Sequence, residues 1–93
     1  MNSSRKTVPV YEILLERNAE RDLKKLPKKM FDRVVLCVKS LSQNPKPPGT
    51  RKIVGSTNDW RIRIGDYRVI YEIDEEVREV KIMRIRHRRE SYR

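Results

Sequence analysis

The run Met83-Arg84-Ile85-Arg86-His87-Arg88-Arg89-Glu90-Ser91-Tyr92-Arg93 ends the chain with five arginines, its only histidine and a tyrosine. Each type supplies one part of phosphate chemistry on RNA. Guanidinium presents a planar fork of donors to phosphate oxygens, imidazole exchanges a proton near neutral pH, and a phenol ring stacks on an exposed base. A second cationic group lies upstream in Trp60-Arg61-Ile62-Arg63-Ile64, where arginine and isoleucine alternate, and Arg68 follows a few residues later.

Such residues act together only if the fold gathers them, and the pattern of the chain says how. Val10 to Leu15 reads as a short strand with Tyr11, Ile13 and Leu15 on one side. Asn18 reads as an N-cap, with Glu20 and Asp22 in the first turns, opening a helix from about Ala19 to Leu26. Pro27 ends that helix and starts the next. There Met30, Val34, Cys37, Val38 and Leu41 recur at three- and four-residue spacing until Asn44-Pro45.

Pro45-Lys46-Pro47-Pro48-Gly49 is a stiff linker, and Lys52-Ile53-Val54 a brief strand. Strict alternation makes Trp60–Ile64 the clearest strand. Gly65-Asp66 is a two-residue hairpin turn with glycine first, as type II′ requires. The return strand, Tyr67 to Ile73, sets Tyr67, Val69, Tyr71 and Ile73 on one face and Arg68 on the other. A last strand runs from Val77 to about Arg86 and delivers His87, Arg88 and Tyr92 to its end.

The fold class is therefore α+β, a single domain spanning residues 1–93, with residues 1–8 as a loose arm. An N-terminal strand and a helical hairpin pack on one face of a small antiparallel sheet. The other face carries Arg61, Arg63, Arg68 and the arginine-rich end of the last strand. Alone, Arg61 and Arg63 are equally well the wet side of a half-buried sheet. Three strands bringing arginine to one face favour an anion site, because like charges that close repel until an anion relieves them.

Composition points the same way. Hydrophobic residues are 37% and charged residues 39%, which limits the core, and a net charge of +10 calls for a polyanionic partner, nucleic acid first. An anionic membrane is the weaker choice, since no apolar run is long enough to span one. The N-terminus lacks a secretory signal, so the expected location is cytoplasmic. Cys37 is the only cysteine, which excludes a disulfide framework and a cysteine zinc site. HExxH, Walker and GxSxG motifs are absent, and Asp59 and Asp66 are isolated. Neither metal nor cofactor is expected.

From about Val10 to Tyr92 the chain resembles the RelE/ParE superfamily of toxins, above all its RelE branch. The resemblance rests on Trp60-Arg61-Ile62-Arg63-Ile64, on Tyr67-Arg68-Val69-Ile70-Tyr71 and on the ending His87-Arg88-Arg89-Glu90-Ser91-Tyr92. It implies a RelE-like microbial-RNase fold, an endoribonuclease that cuts messenger RNA in the ribosomal A site, and a RelB-like antitoxin wrapped around the toxin in a hetero-oligomer. Cleavage in that family proceeds by attack of the ribose 2′-hydroxyl on the adjacent phosphate. By position the resemblance assigns Arg61, Arg63, Arg68, His87, Arg88 and Tyr92 to the catalytic group; Lys52, Arg86 and Arg89 are expected to bind RNA, with Arg86 an alternative to Arg88 as phosphate clamp because the register at the strand end is open. Some relatives carry lysines where this chain has Arg61 and Arg63. Arginine keeps its proton at any ordinary pH, so His87 is the expected proton carrier and the arginines clamp phosphate. Other readings are a ParE-like toxin that poisons DNA gyrase without cutting RNA, and a passive RNA-binding module.

Overall fold

The structure, a computed structural model, describes residues 11–89. The proposed arm and Tyr92 lie outside them. In chain order the elements are β1 (Glu12–Leu15), α1 (Arg17–Lys24), α2 (Lys28–Ser40), β2 (Arg51–Lys52), β3 (Asp59–Ile64), β4 (Tyr67–Asp74) and β5 (Glu79–His87). The five strands form one sheet in the order β1-β5-β4-β3-β2. Pairing is antiparallel except that β1 lies parallel to β5, with Glu12 opposite Glu79 and Leu15 opposite Ile82. The helical hairpin thus carries the chain from one edge strand to the other.

The helical stripe read from the sequence is the one buried. Val34 and Leu41 are inaccessible, and Met30, Cys37 and Val38 pack against them. Beneath lie Ile62 and Ile64 of β3, Val69, Tyr71 and Ile73 of β4, and Val80, Ile82 and Ile85 of β5. Each such aliphatic side chain contributes about 1.5–3 kcal/mol when fully buried. No helix among the described residues is long and apolar enough to cross a membrane.

Several boundaries differ from the sequence reading. The first helix begins at Arg17 behind Glu16, so Asn18 lies inside it and caps nothing, and the helix ends at Lys24. The strand expected at Lys52–Val54 is instead Arg51–Lys52, and Val54 sits in the following turn, 98% exposed. Val77 belongs to the β4–β5 turn rather than to β5. There the Asp74 carboxylate accepts the Glu76 and Val77 amides, and Arg78 takes φ 60°. Gly65 has φ +59° while Asp66 keeps a negative φ, as the type II′ turn demands.

Candidate functional site

Strand alternation makes the open face of the sheet cationic. Ile62 and Ile64 point into the core opposite Val69 and Tyr67, which turns Arg61 and Arg63 outward. Register then pairs Arg63 with Arg68 and Arg61 with Ile70, and on the other side Arg61 pairs with Arg51. Arg51, Arg61, Arg63 and Arg68, with Gly49, line one cleft of about 120 Å³. Arg63 Nε donates to the Gly65 carbonyl at 3.1 Å, which holds its guanidinium toward the turn. Among the described residues no carboxylate lies within ion-pair distance of Arg51, Arg61 or Arg63.

The last strand reaches this region through a bulge. Tyr71 faces Ile82 but its neighbour Ile70 faces Arg84, so Met83 is an extra residue on β5. Val80 and Ile82 point into the core before the bulge and Ile85 does so after it. Without that extra residue Arg84 and Arg86 would continue the buried row. With it, Arg86 stands opposite Arg68 while His87 stands opposite Tyr67, its ring edge-on at 5.0 Å.

His87 therefore lies on the helix side of the sheet end and does not line the arginine cleft. It borders a second cleft of about 230 Å³ with Lys25, Leu26, Tyr67, Arg86 and the Asp22–Arg84 pair. The Arg89 amide donates to His87 Nδ1 at 3.2 Å, so a neutral ring carries its proton on Nε2. Arg86 shares its row with Arg68 by register, yet its side chain borders this second cleft.

Beyond Leu15 the first strand has ended, and Asp22 of α1 takes its place along β5. The carboxylate accepts the Ile85 amide at 2.9 Å and two guanidinium bonds from Arg84 at 2.9 and 3.3 Å. Burial works to raise the Asp22 carboxyl. The bonds from Arg84 and Ile85, with the charges of Arg84 and Arg86, outweigh it and hold the group below its ordinary value.

The remaining sequence-derived residues are scattered around these two clefts. Arg88 lies past the end of β5, its amide donating to the Asp66 carbonyl at 2.7 Å and its guanidinium 3.9 Å from the Asp66 carboxylate. Arg89 is exposed in the same turn. Lys52 points away from the arginine cleft, over the Trp60 ring at 5.9 Å, with Lys46 at 4.7 Å. Tyr92 is outside the described residues. Arg51 escaped the sequence reading, because a two-residue strand has no alternation to reveal its face. Cys37 is half-buried, and burial pushes its thiol up, away from thiolate chemistry.

The sequence and the fold both have counterparts among known proteins. The model of the "ParE toxin of type II toxin-antitoxin system, parDE" family matches residues 13–92. Toxin RelG of Mycobacterium tuberculosis is 36% identical over 87 residues, covering 89% of this chain and 97% of RelG. The RelBE2 toxin–antitoxin complex of M. tuberculosis superposes with a TM-score of 0.75 at 33% identity, over 86% of this chain and 99% of that one. The archaeal RelE–RelB complex of Pyrococcus horikoshii gives 0.77 at 27% identity, over 85% and 96%. The class is thus a toxin of a type II toxin–antitoxin system. Within it, this chain belongs to the RelE/ParE family and is of the RelE kind.

Proposed function

We propose that this toxin is a metal-independent endoribonuclease that cuts messenger RNA in the ribosomal A site and so stops translation. The observation that carries the reading is the cleft walled by Arg51, Arg61, Arg63 and Arg68, with no carboxylate among the described residues against Arg51, Arg61 or Arg63. Its ligand is a phosphate-bearing strand. In the reaction the 2′-oxygen bonds to phosphorus and loses its proton, the bond from phosphorus to the 5′-oxygen breaks, and that oxygen gains a proton. The products are a 2′,3′-cyclic phosphate and a 5′-hydroxyl. Arg63 and Arg68 hold the scissile phosphate and stabilise the extra charge of the pentacoordinate state, the kind of help worth about 10²–10³-fold per donor, and Arg61 binds the strand beside them.

His87 serves as the proton carrier: as imidazolium it gives a proton to the leaving 5′-oxygen and becomes neutral, while the 2′-hydroxyl proton passes to water. The sheet end separates it from the cleft, so the strand must pass around the tips of β4 and β5, where Arg86, Arg88 and Arg89 flank it. Tyr92 positions the base, and Lys52 adds a more distant contact. A RelB-like antitoxin with an acidic segment suits the arginine face as inhibitor; the RelBE2 structure of M. tuberculosis is a toxin–antitoxin complex and that of P. horikoshii a RelE–RelB complex.

Primer extension on messenger from a translating extract tests the reading. Wild type should give discrete new 5′ ends within codons, Arg63→Ala and His87→Ala should not, and an intact messenger with wild-type toxin would end the proposal. The matching family model is that of ParE toxins, which favours gyrase poisoning as the second reading. Lost supercoiling with uncut messenger would select it.

A further inference from the structure

We infer that the arginine cleft holds two successive phosphates of one strand, and that Arg51 with Arg61 forms the second phosphate subsite, beside the one made by Arg63 and Arg68. This rests on the ribonuclease reading and gives the length of strand the cleft engages. Register sets the four side chains as a zigzag over three strands: Arg51 of β2 lies opposite Arg61 of β3 and, two residues on, Arg63 lies opposite Arg68 of β4, on the other side of β3. Partners in a directly opposed pair have Cβ atoms about 5 Å apart. The β3 members of the two pairs are two residues apart, about 7 Å along the strand, and one strand spacing of about 4.8 Å across it sets the pair centres roughly 8 Å apart. That is close to the separation of neighbouring phosphates along an extended single strand, while the cross-strand spacing lets two guanidinium forks converge on one phosphate group.

The array costs stability when empty, since like charges directly opposed in a sheet repel. Arg51 and Arg61 gain no offsetting carboxylate among the described residues. Arg51 is nonetheless held in place. The residue before it, Thr50, shares a 3.2 Å hydrogen bond with the buried Tyr71 hydroxyl, which also donates to the Pro45 carbonyl at 2.7 Å. Burial pushes that hydroxyl up, so it stays a donor at neutral pH. Gly49, on the same wall, has open space where a side chain would stand.

Of the two pairs, Arg63 and Arg68 stand nearer the hairpin turn and His87. They hold the scissile phosphate. Arg51 and Arg61 then hold its neighbour, two residues down β3 and remote from the proton carrier. Arg51 binds substrate and takes no part in bond breaking.

The test uses 2′-O-methyl RNA, which lacks the attacking hydroxyl and reports binding alone. The probes are a fluorescent dinucleotide with one phosphate and a trinucleotide with two, titrated by anisotropy against the full-length protein. For Arg51→Ala the expected result is a roughly tenfold loss on the trinucleotide, at most a few-fold loss on the dinucleotide, and a salt dependence of trinucleotide binding reduced by about one counterion. Arg51→Lys should recover most of the trinucleotide affinity, which also shows that the alanine variant failed by charge and not by misfolding. Equal losses on both probes would make Arg51 a source of general attraction and overturn the subsite, as would no loss on either. A wild type that binds neither probe overturns the arginine cleft as a phosphate site and the subsite with it.

Discussion

Arg61 and Arg84 stand in one row across the sheet, with Ile70 between them, and the fold treats the two cations in opposite ways. Arg84 turns over the β5 edge to Asp22, whose carboxylate is 13% exposed, and makes a bidentate pair that also secures the Ile85 amide. Arg61 faces a cleft with three more arginines, and among the described residues no carboxylate lies within ion-pair distance of Arg61. One guanidinium fastens a helix to the end of a strand; the other, on the ribonuclease reading proposed above, takes its anion from the RNA. Net charge and arginine content are the same for both roles. What separates them is whether the chain supplies the anion.

The largest effect should come from supplying that anion artificially in the cleft. Arg63→Glu places a carboxylate between Arg61 and Arg68, and messenger cleavage should fall by more than ~10³-fold, combining a lost donor with repulsion of the phosphate. Circular dichroism should show an unchanged fold, because Arg63 is exposed. Retained cleavage would erase the distinction drawn between Arg61 and Arg84. Next in size is His87→Ala, at about 100-fold or more in single-turnover cleavage for a lost acid. Since His87 stands off the cleft, its RNA affinity should be nearly intact. An unchanged rate would confine the chemistry to the arginine side of the sheet.

Removing the anion that the chain does supply should act on stability instead. Asp22→Ala strips the Ile85 amide and the half-exposed Arg84 of their acceptor, a loss of about 2 kcal/mol in urea unfolding after allowing for solvent screening of Arg84. Asp22→Asn keeps an acceptor for the amide and should lose less. The sign with pH follows from the direction of the shift. The Asp22 carboxyl is held below its ordinary value, so its contribution is complete above about pH 4 and disappears as pH falls through the lower folded value. The stability gap between wild type and Asp22→Asn should therefore narrow on acidification below about pH 4. A gap that widens there would place the stabilisation elsewhere.

The contrast between these two arginines was only half legible in the chain. Alternation over Trp60–Ile64 and Tyr67–Ile73, joined by Gly65-Asp66, sufficed to place Arg61, Arg63 and Arg68 on the face away from the core, because the side-chain period of a strand is two. The helical stripe from Met30 to Leu41 was equally plain. The end of β5 was not, since the extra residue at Met83 shifts the period once and exchanges the faces of everything beyond it. That is why His87, assigned with Arg61, Arg63 and Arg68 to one catalytic group, stands instead beside Tyr67. Glu16 outcompeted Asn18 for the start of α1 because the helix follows directly on β1, whose last backbone bond uses the Glu16 amide. A four-residue strand carries no mark of its neighbour, so its parallel pairing with β5 is visible only in three dimensions.

The smallest effect concerns how Arg51 comes to share the cleft at all. Its strand has two residues, too few to fix a register unaided, and the buried Tyr71 hydroxyl ties both ends of the preceding linker through Pro45 and Thr50. Tyr71→Phe keeps the ring in the core and removes only those bonds, which should cost about 1 kcal/mol in thermal or urea unfolding. It should also loosen the Gly49–Arg51 wall and weaken trinucleotide binding by a few-fold, less than loss of Arg51 itself. If stability falls while binding stays at the wild-type value, pairing with β3 alone sets the Arg51 side chain. The tyrosine then belongs with Asp22 among the residues that hold the fold, and the division between fastening and binding groups runs between Thr50 and Arg51.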